Sequence, residues 1–169
     1  SGDKQEFIYN KLLSDIKGRM LEEIVLLNVT RSLSDCFVSQ FRFYEYRKSP
    51  FKNGEYDMVI RNKKNETFIF EIKHSSEVEY NKQTKHLLDV EKLDWLKENG
   101  FKVKEKVVLY NGKTLDKDDN GVIYLNASEF LEELKVYDRN YQKMLLARKE
   151  CIKNVEDEYD DNDSLDTKG

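Results

Sequence analysis

The sequence predicts an α/β domain, and three observations carry that prediction. Two short runs, Gly54–Ile60 and Thr67–Ser75, alternate apolar and polar residues with a period of two and are rich in aromatic and β-branched types, which marks them as strands. Longer stretches before and after them repeat apolar residues at helical spacing. Helical and strand patterns then alternate along 169 residues containing one Pro and seven Gly, a content that favours regular elements and one domain with a sizeable core.

In chain order, Lys4–Ile16 is a short amphipathic helix on Phe7, Ile8, Leu12, Leu13 and Ile16, and Gly18 is expected to break it. A second helix, Met20–Leu33, is apolar on most sides, as core helices are. Phe37–Arg47 reads as a strand, Ser49–Gly54 as a turn, and the two alternating runs as a hairpin closed by Arg61–Glu66. In that hairpin Tyr56, Met58 and Ile60 are expected on the face of Phe68, Phe70 and Ile72. Asn81–Glu98 is a helix ended by Asn99-Gly100. Lys106–Tyr110 and Val122–Leu125 are strands around the polar loop Asn111–Gly121. Asn126 or Ser128 caps a helix through Leu134, and Tyr137–Val155 is a final helix. The predicted order is α-α-β-β-β-α-β-β-α-α.

Composition narrows the function. The net charge is −4, but seven acids and one lysine between Asn154 and Gly169 put −6 there, so the rest of the chain carries +2. That balance permits nucleic-acid binding without arguing for it, and the acidic tail, residues 156–169, is expected to be solvated and disordered. No apolar run reaches the ~18–20 residues that span a bilayer. Cys36 and Cys151 are too few for a disulfide framework or a zinc site, which makes a reducing cytoplasm the default setting. Gly112-Lys113-Thr114 imitates the end of a phosphate-binding loop, but the glycine that loop needs would fall at Val107, so there is no ATP site.

The chemistry gathers on the hairpin. Glu71 and Lys73 share one strand face, and the expected pairing brings Asp57 onto the same face. Two neighbouring carboxylates repel unless a cation lies between them. On their own, these three residues read first as an exposed cross-strand salt bridge worth under ~1 kcal/mol. Glu22 and Glu23 open the second helix, and periodicity does not choose between them. Either can also decorate a helix N-terminus. His74 and His86 lack the spacing of a zinc site.

Gly18-Arg19-Met20-Leu21-Glu22, Tyr46-Arg47, Gly54-Glu55-Tyr56-Asp57, Phe70-Glu71-Ile72-Lys73 and Gln83-Thr84-Lys85-His86-Leu87, in that order, resemble the PD-(D/E)XK nuclease-like domain found C-terminal to the ATPase in many prokaryotic AAA-type ATP-binding proteins. The likeness runs from about Gly18 to Leu134. It implies a restriction-endonuclease-like αβββαβ core, a mixed sheet with helices on both faces. It divides the chain into a helix or linker leading out of a preceding domain (1–17), the nuclease-like domain (18–136), a C-terminal helix (137–155) and the acidic tail. It implies hydrolysis of DNA phosphodiester bonds, with Asp57, Glu71, Lys73 and Glu22 catalytic, and Mg²⁺ or Mn²⁺ held by Asp57, Glu71, the Ile72 carbonyl and Glu22. Gln83 and His86 are accessory, and Lys82 and Lys85 are placed to meet a phosphate backbone. The implied partners are DNA and an AAA-type ATPase domain in the same polypeptide. A catalytically silent module that keeps the fold and binds protein or nucleic acid for the ATPase is the other reading.

Overall fold

The computed structural model describes residues 2–166, and their side chains except those of 137–142, 144, 145, 148, 149 and 163–166. The elements are α1 (Gly2–Ser32), β1 (Phe37–Arg42), a 3₁₀ turn (Phe43–Glu45), β2 (Glu55–Arg61), β3 (Glu66–Ile72), α2 (Tyr80–Gln83), α3 (Val90–Glu98), β4 (Lys102–Tyr110), β5 (Val122–Asn126) and α4 (Ala127–Asp166). Two compact units divide the chain, residues 1–134 and 135–169.

The five strands form one mixed sheet in the order β1-β2-β3-β4-β5. β1, β2 and β3 pair antiparallel, whereas β3, β4 and β5 run parallel. The hairpin turn works as the sequence suggests: Asn62 Oδ1 accepts from Lys64 N and Glu66 N, and Asn65 takes a φ of 62°. A five-stranded mixed α/β sheet with helical residues packed on each face is therefore present. One face buries Met58, Ile60, Phe70, Ile72, Val107 and Leu109 against Val25 and Val29 of α1 and Leu134 of α4. The other buries Val59, Ile69 and Val108 against Leu87 and against Trp95 and Leu96 of α3.

Several boundaries differ from the sequence expectation. Gly18 does not break α1, which runs through it unbroken. One glycine costs a helix only about 1 kcal/mol, and the apolar turns on either side outweigh that. β1 ends at Arg42, not Arg47, because Phe41, Phe43 and Tyr46 all join one aromatic cluster. Phe41 stacks on Tyr46 at 4.6 Å and meets Phe43 edge-on at 5.0 Å, a convergence an extended strand forbids because its side chains alternate. The expected Asn81–Glu98 helix is split. Asp89 caps α3 by accepting from Lys92 N, and Leu87 drops fully buried into the core between the two pieces. β4 starts four residues earlier than its apolar stretch, at Lys102. Asn126 Oδ1 accepts from Glu129 N and starts α4, which continues without a break between Leu134 and Tyr137. The acidic stretch through Asp166 is helix, with residues 156–162 exposed. Extending a helix already formed is far easier than nucleating one. The last three residues of the expected tail lie outside the described residues.

Tyr56 is a further correction. Between Tyr56 and Val59, β2 advances three residues while β1 advances two, from Phe41 to Ser39. The extra residue is a bulge at Asp57 and Met58. It turns Tyr56 into the core of Phe41, Val59 and Ile69, while Met58 and Ile60 go to the opposite face.

Candidate functional site

The site lies where the parallel strands end. In open α/β sheets ligands gather at the carboxyl ends of strands. Glu71 and Lys73 sit at that end of β3. β2 runs antiparallel to β3, so its opening residues, Asp57 among them, lie at the same end. The bulge frees the Asp57 side chain from the regular ladder. Its Oδ2 accepts the Ile72 N–H at 2.7 Å. In a strand the N–H and C=O of one residue point the same way, so the Ile72 carbonyl also faces β2.

Glu71 is 3% exposed. Its Oε2 lies 3.5 Å from Lys73 Nζ, and Lys73 Nζ lies 4.0 Å from Asp57 Oδ2. Glu71 Oε1 has no hydrogen-bond partner among the described residues. Burial first, and the Asp57 carboxylate second, push the Glu71 carboxyl up to about 9, with Lys73 pulling the other way. One ammonium thus serves two carboxylates, and one buried oxygen is left over.

Glu22 arrives from α1. Val25 and Val29, on the same stripe, are fully buried and fix the rotation of the helix. Glu22 is half-buried beside Asp57 and Lys73, whereas Glu23 is exposed. Burial, then Asp57, raises Glu22 to about 7 against the pull of Lys73. Two clefts meet at this residue. One of about 300 Å³ is lined by Ser14, Arg19, Glu22, Ile72, Lys73 and His74. One of about 180 Å³ is lined by Arg19, Glu22, Gln40 and Asp57. α1 is pinned there by Ser14 Oγ, 2.8 Å from His74 Nε2.

The remaining expected residues divide. His86 is half-buried in a cleft of about 560 Å³ with Lys85, Asp89 and Lys92. Its imidazole is held below the usual value by burial and by Lys92, Lys85 and Lys73, and it also senses Asp57. Gln83 is spent elsewhere: Oε1 accepts from Glu79 N at 2.8 Å and Nε2 donates to Glu77 O at 2.9 Å, so this buried amide braces its own loop. Lys82 pairs with Glu79 at 3.5 Å. Arg19 was not read as a site residue, although it lines both clefts. Its signal was its place one turn before Glu22. Tyr56 was read only as core, yet its hydroxyl is buried without a partner among the described residues and is raised by burial, Asp89 and Glu71.

The oxygens here that can face a divalent cation are those of Asp57 and Glu71 and the Ile72 carbonyl, with Glu22 alongside. Among the described residues no group of three or more His, Cys, Asp or Glu side chains is arranged to hold a metal ion. Nor, among them, is any helix long and apolar enough to cross a membrane.

No curated protein matches the chain. Among solved structures, a chain of the Thermococcus gammatolerans assembly of McrB AAA+ hexamers with bound McrC is similar over 75% of this chain, at 13% identity and a TM-score of 0.40. This chain spans 33% of that one. Residues 17–130 match the family described as a domain of unknown function, DUF4143. That span opens on the turn of α1 carrying Gly18, Arg19 and Glu22 and closes in the first turn of α4, so it takes in the whole sheet and the lining of the two clefts apart from the turn of α1 around Ser14, and the chain belongs to the DUF4143 family.

Proposed function

We propose that this domain is a metal-dependent nuclease module that hydrolyses DNA phosphodiester bonds. The observation that carries the reading is the Glu71 carboxyl, buried at the strand ends against the Asp57 carboxylate, with Oε1 lacking a donor among the described residues. A buried acid without full compensation is costly, and two carboxylates with a backbone carbonyl are the hard oxygen donors that Mg²⁺ or Mn²⁺ accepts alongside its own waters. The donor set therefore fits the ion. When bound, the ion supplies Lewis acidity at a phosphoryl oxygen and lowers the pKa of a coordinated water.

The residues themselves do the rest. Asp57 and Glu71 present oxygens, and the Asp57–Ile72 hydrogen bond fixes their spacing. Lys73 holds a positive charge where a pentacoordinate phosphorus gathers negative charge, and it can orient the attacking water. Glu22, raised to about 7, can take a proton near neutral pH. Arg19, on the cleft wall, can pair with a phosphate. The reading also includes an AAA-type ATPase in the same polypeptide, which the resemblance implies, and a reducing cytoplasm, the default setting for a chain with only Cys36 and Cys151.

One observation favours a second reading, a silent module that binds protein or nucleic acid. Asp57 is already satisfied by a backbone amide and by Lys73, so the cluster can also serve as a structural clasp. Incubation with plasmid and Mn²⁺ separates the two. Cleavage by the wild type that is lost in Asp57→Ala and in Lys73→Ala supports the nuclease. Absence of both cleavage and calorimetric Mn²⁺ binding refutes it.

A further inference from the structure

We infer that the outer face of α1 is a twofold contact surface for a second copy of this chain. α1 is apolar on two sides. One side, with Val25 and Val29, is buried in the sheet core. At 100° per residue, Tyr9, Leu12, Ile16, Met20, Ile24 and Leu27 form a stripe on the opposite side, each between 45% and 64% exposed. A helix apolar all round is normally buried all round, and six large apolar residues in one row over about 27 Å exceed the scattered exposure a surface tolerates.

The stripe identifies its occupant. These six residues are spaced by three, four, four, four and three, the same read in either direction, and Leu13, 36% exposed, joins them on one flank without an apolar counterpart at the symmetric position, Glu23. Two copies of α1 laid antiparallel therefore set Tyr9 opposite Leu27 and Ile16 opposite Met20 along the contact line, each contact made twice about an axis level with Gly18, and bring Leu12 and Ile24 to the same height on its two flanks. That is the self-complementarity an isologous dimer requires. Gly18 itself lies on the inner side, next to His74, so the axis passes between apolar side chains. Charge agrees with this register. Glu6 and Arg31 lie on the same flank of the stripe, both exposed, and the antiparallel alignment brings Glu6 of one copy against Arg31 of the other, at both ends. Neither has an ion-pair partner among the described residues.

Light scattering and sedimentation equilibrium of the full chain, without metal or DNA, test this independently of any nuclease activity. The expected mass is that of two chains, falling on dilution to one. Met20→Glu, a change on the exposed stripe, gives a single chain with unchanged helical content. Glu6→Lys weakens association roughly two- to tenfold, and Glu6→Lys with Arg31→Glu restores it. A single-chain mass at every concentration, which leaves the stripe to another domain or protein, overturns the inference. So does a dimer that Met20→Glu leaves intact, or a charge reversal that its partner change does not rescue.

Discussion

Glu71→Gln is expected to make the metal-free domain more stable near neutral pH, and the size of the effect follows from where Glu71 sits. Its carboxyl rises from an ordinary 4.5 to about 9 in the folded chain. The folded state therefore holds a proton that the unfolded state has lost, and stability falls as pH climbs through that window. Below 4.5 both states are protonated and nothing is lost. Above it the loss grows by about 1.4 kcal/mol per pH unit, reaching about 3 kcal/mol at pH 7 and levelling off near 9. Glutamine keeps the shape and carries no charge in either state, so it escapes the loss. For a chain of this size the difference is a melting temperature roughly 6–12 °C higher at pH 7, shrinking towards zero at pH 4.5. Thermal unfolding followed by circular dichroism in EDTA at pH 5, 7 and 9 measures it. Mn²⁺ at a hundred times its dissociation constant should raise the wild type by about 2.7 kcal/mol and Glu71→Gln by much less. A wild-type melting temperature flat from pH 5 to 8, or a variant no more stable at pH 7, refutes the account of a buried, under-compensated carboxyl.

Three other substitutions probe the surroundings. Gly54 has a φ of +107°, and a Cβ there would lie 2.6 Å from Lys92 Nζ. Gly54→Ala should cost roughly 1–3 kcal/mol and disturb the 3.3 Å Lys92–Asp89 pair, read as a lower urea midpoint. Gln83→Leu strands the Glu77 carbonyl and the Glu79 amide, for a loss of roughly 1–3 kcal/mol. Its kcat on plasmid should match wild type if the amide only braces its loop, and a selective fall in kcat would return Gln83 to the site. Tyr56→Phe removes a buried hydroxyl that has no partner among the described residues, so chemical denaturation should show a neutral or slightly stabilising change. A clear destabilisation would mean that the hydroxyl is paired, through water, in solution.

The approach of Asp57 to Glu71 and Lys73 was legible because it rests on two robust local rules, the period of a strand and the register of a hairpin. The face of Tyr56 was not legible, for the same reason in reverse. A single inserted residue inverts every alternation beyond it, and a bulge leaves no compositional mark. The end of β1 and the split between α2 and α3 were hidden because both are decided by distant partners. Phe43, Tyr46 and Leu87 leave their local patterns to reach one aromatic core, where Phe43 meets Tyr56 at 5.4 Å and Trp95 at 5.6 Å.

The case of α1 goes deeper. Periodicity left Glu22 and Glu23 equivalent because the helix offers two apolar stripes, and a pattern with two maxima does not say which one the sheet takes. The sheet takes the stripe of Val25 and Val29, and Glu22 follows them into the cleft. Two β-branched residues spaced one turn apart pack closely on a pleated surface, whereas the rival stripe sets its two isoleucines among Tyr9, Leu12, Met20 and Leu27, all bulkier than valine. The ambiguity that hid the site glutamate is thus the same property that leaves a second apolar face exposed. A helix that both aims a carboxylate inward and meets its own copy outward needs two stripes, and no single-stripe sequence could have done both.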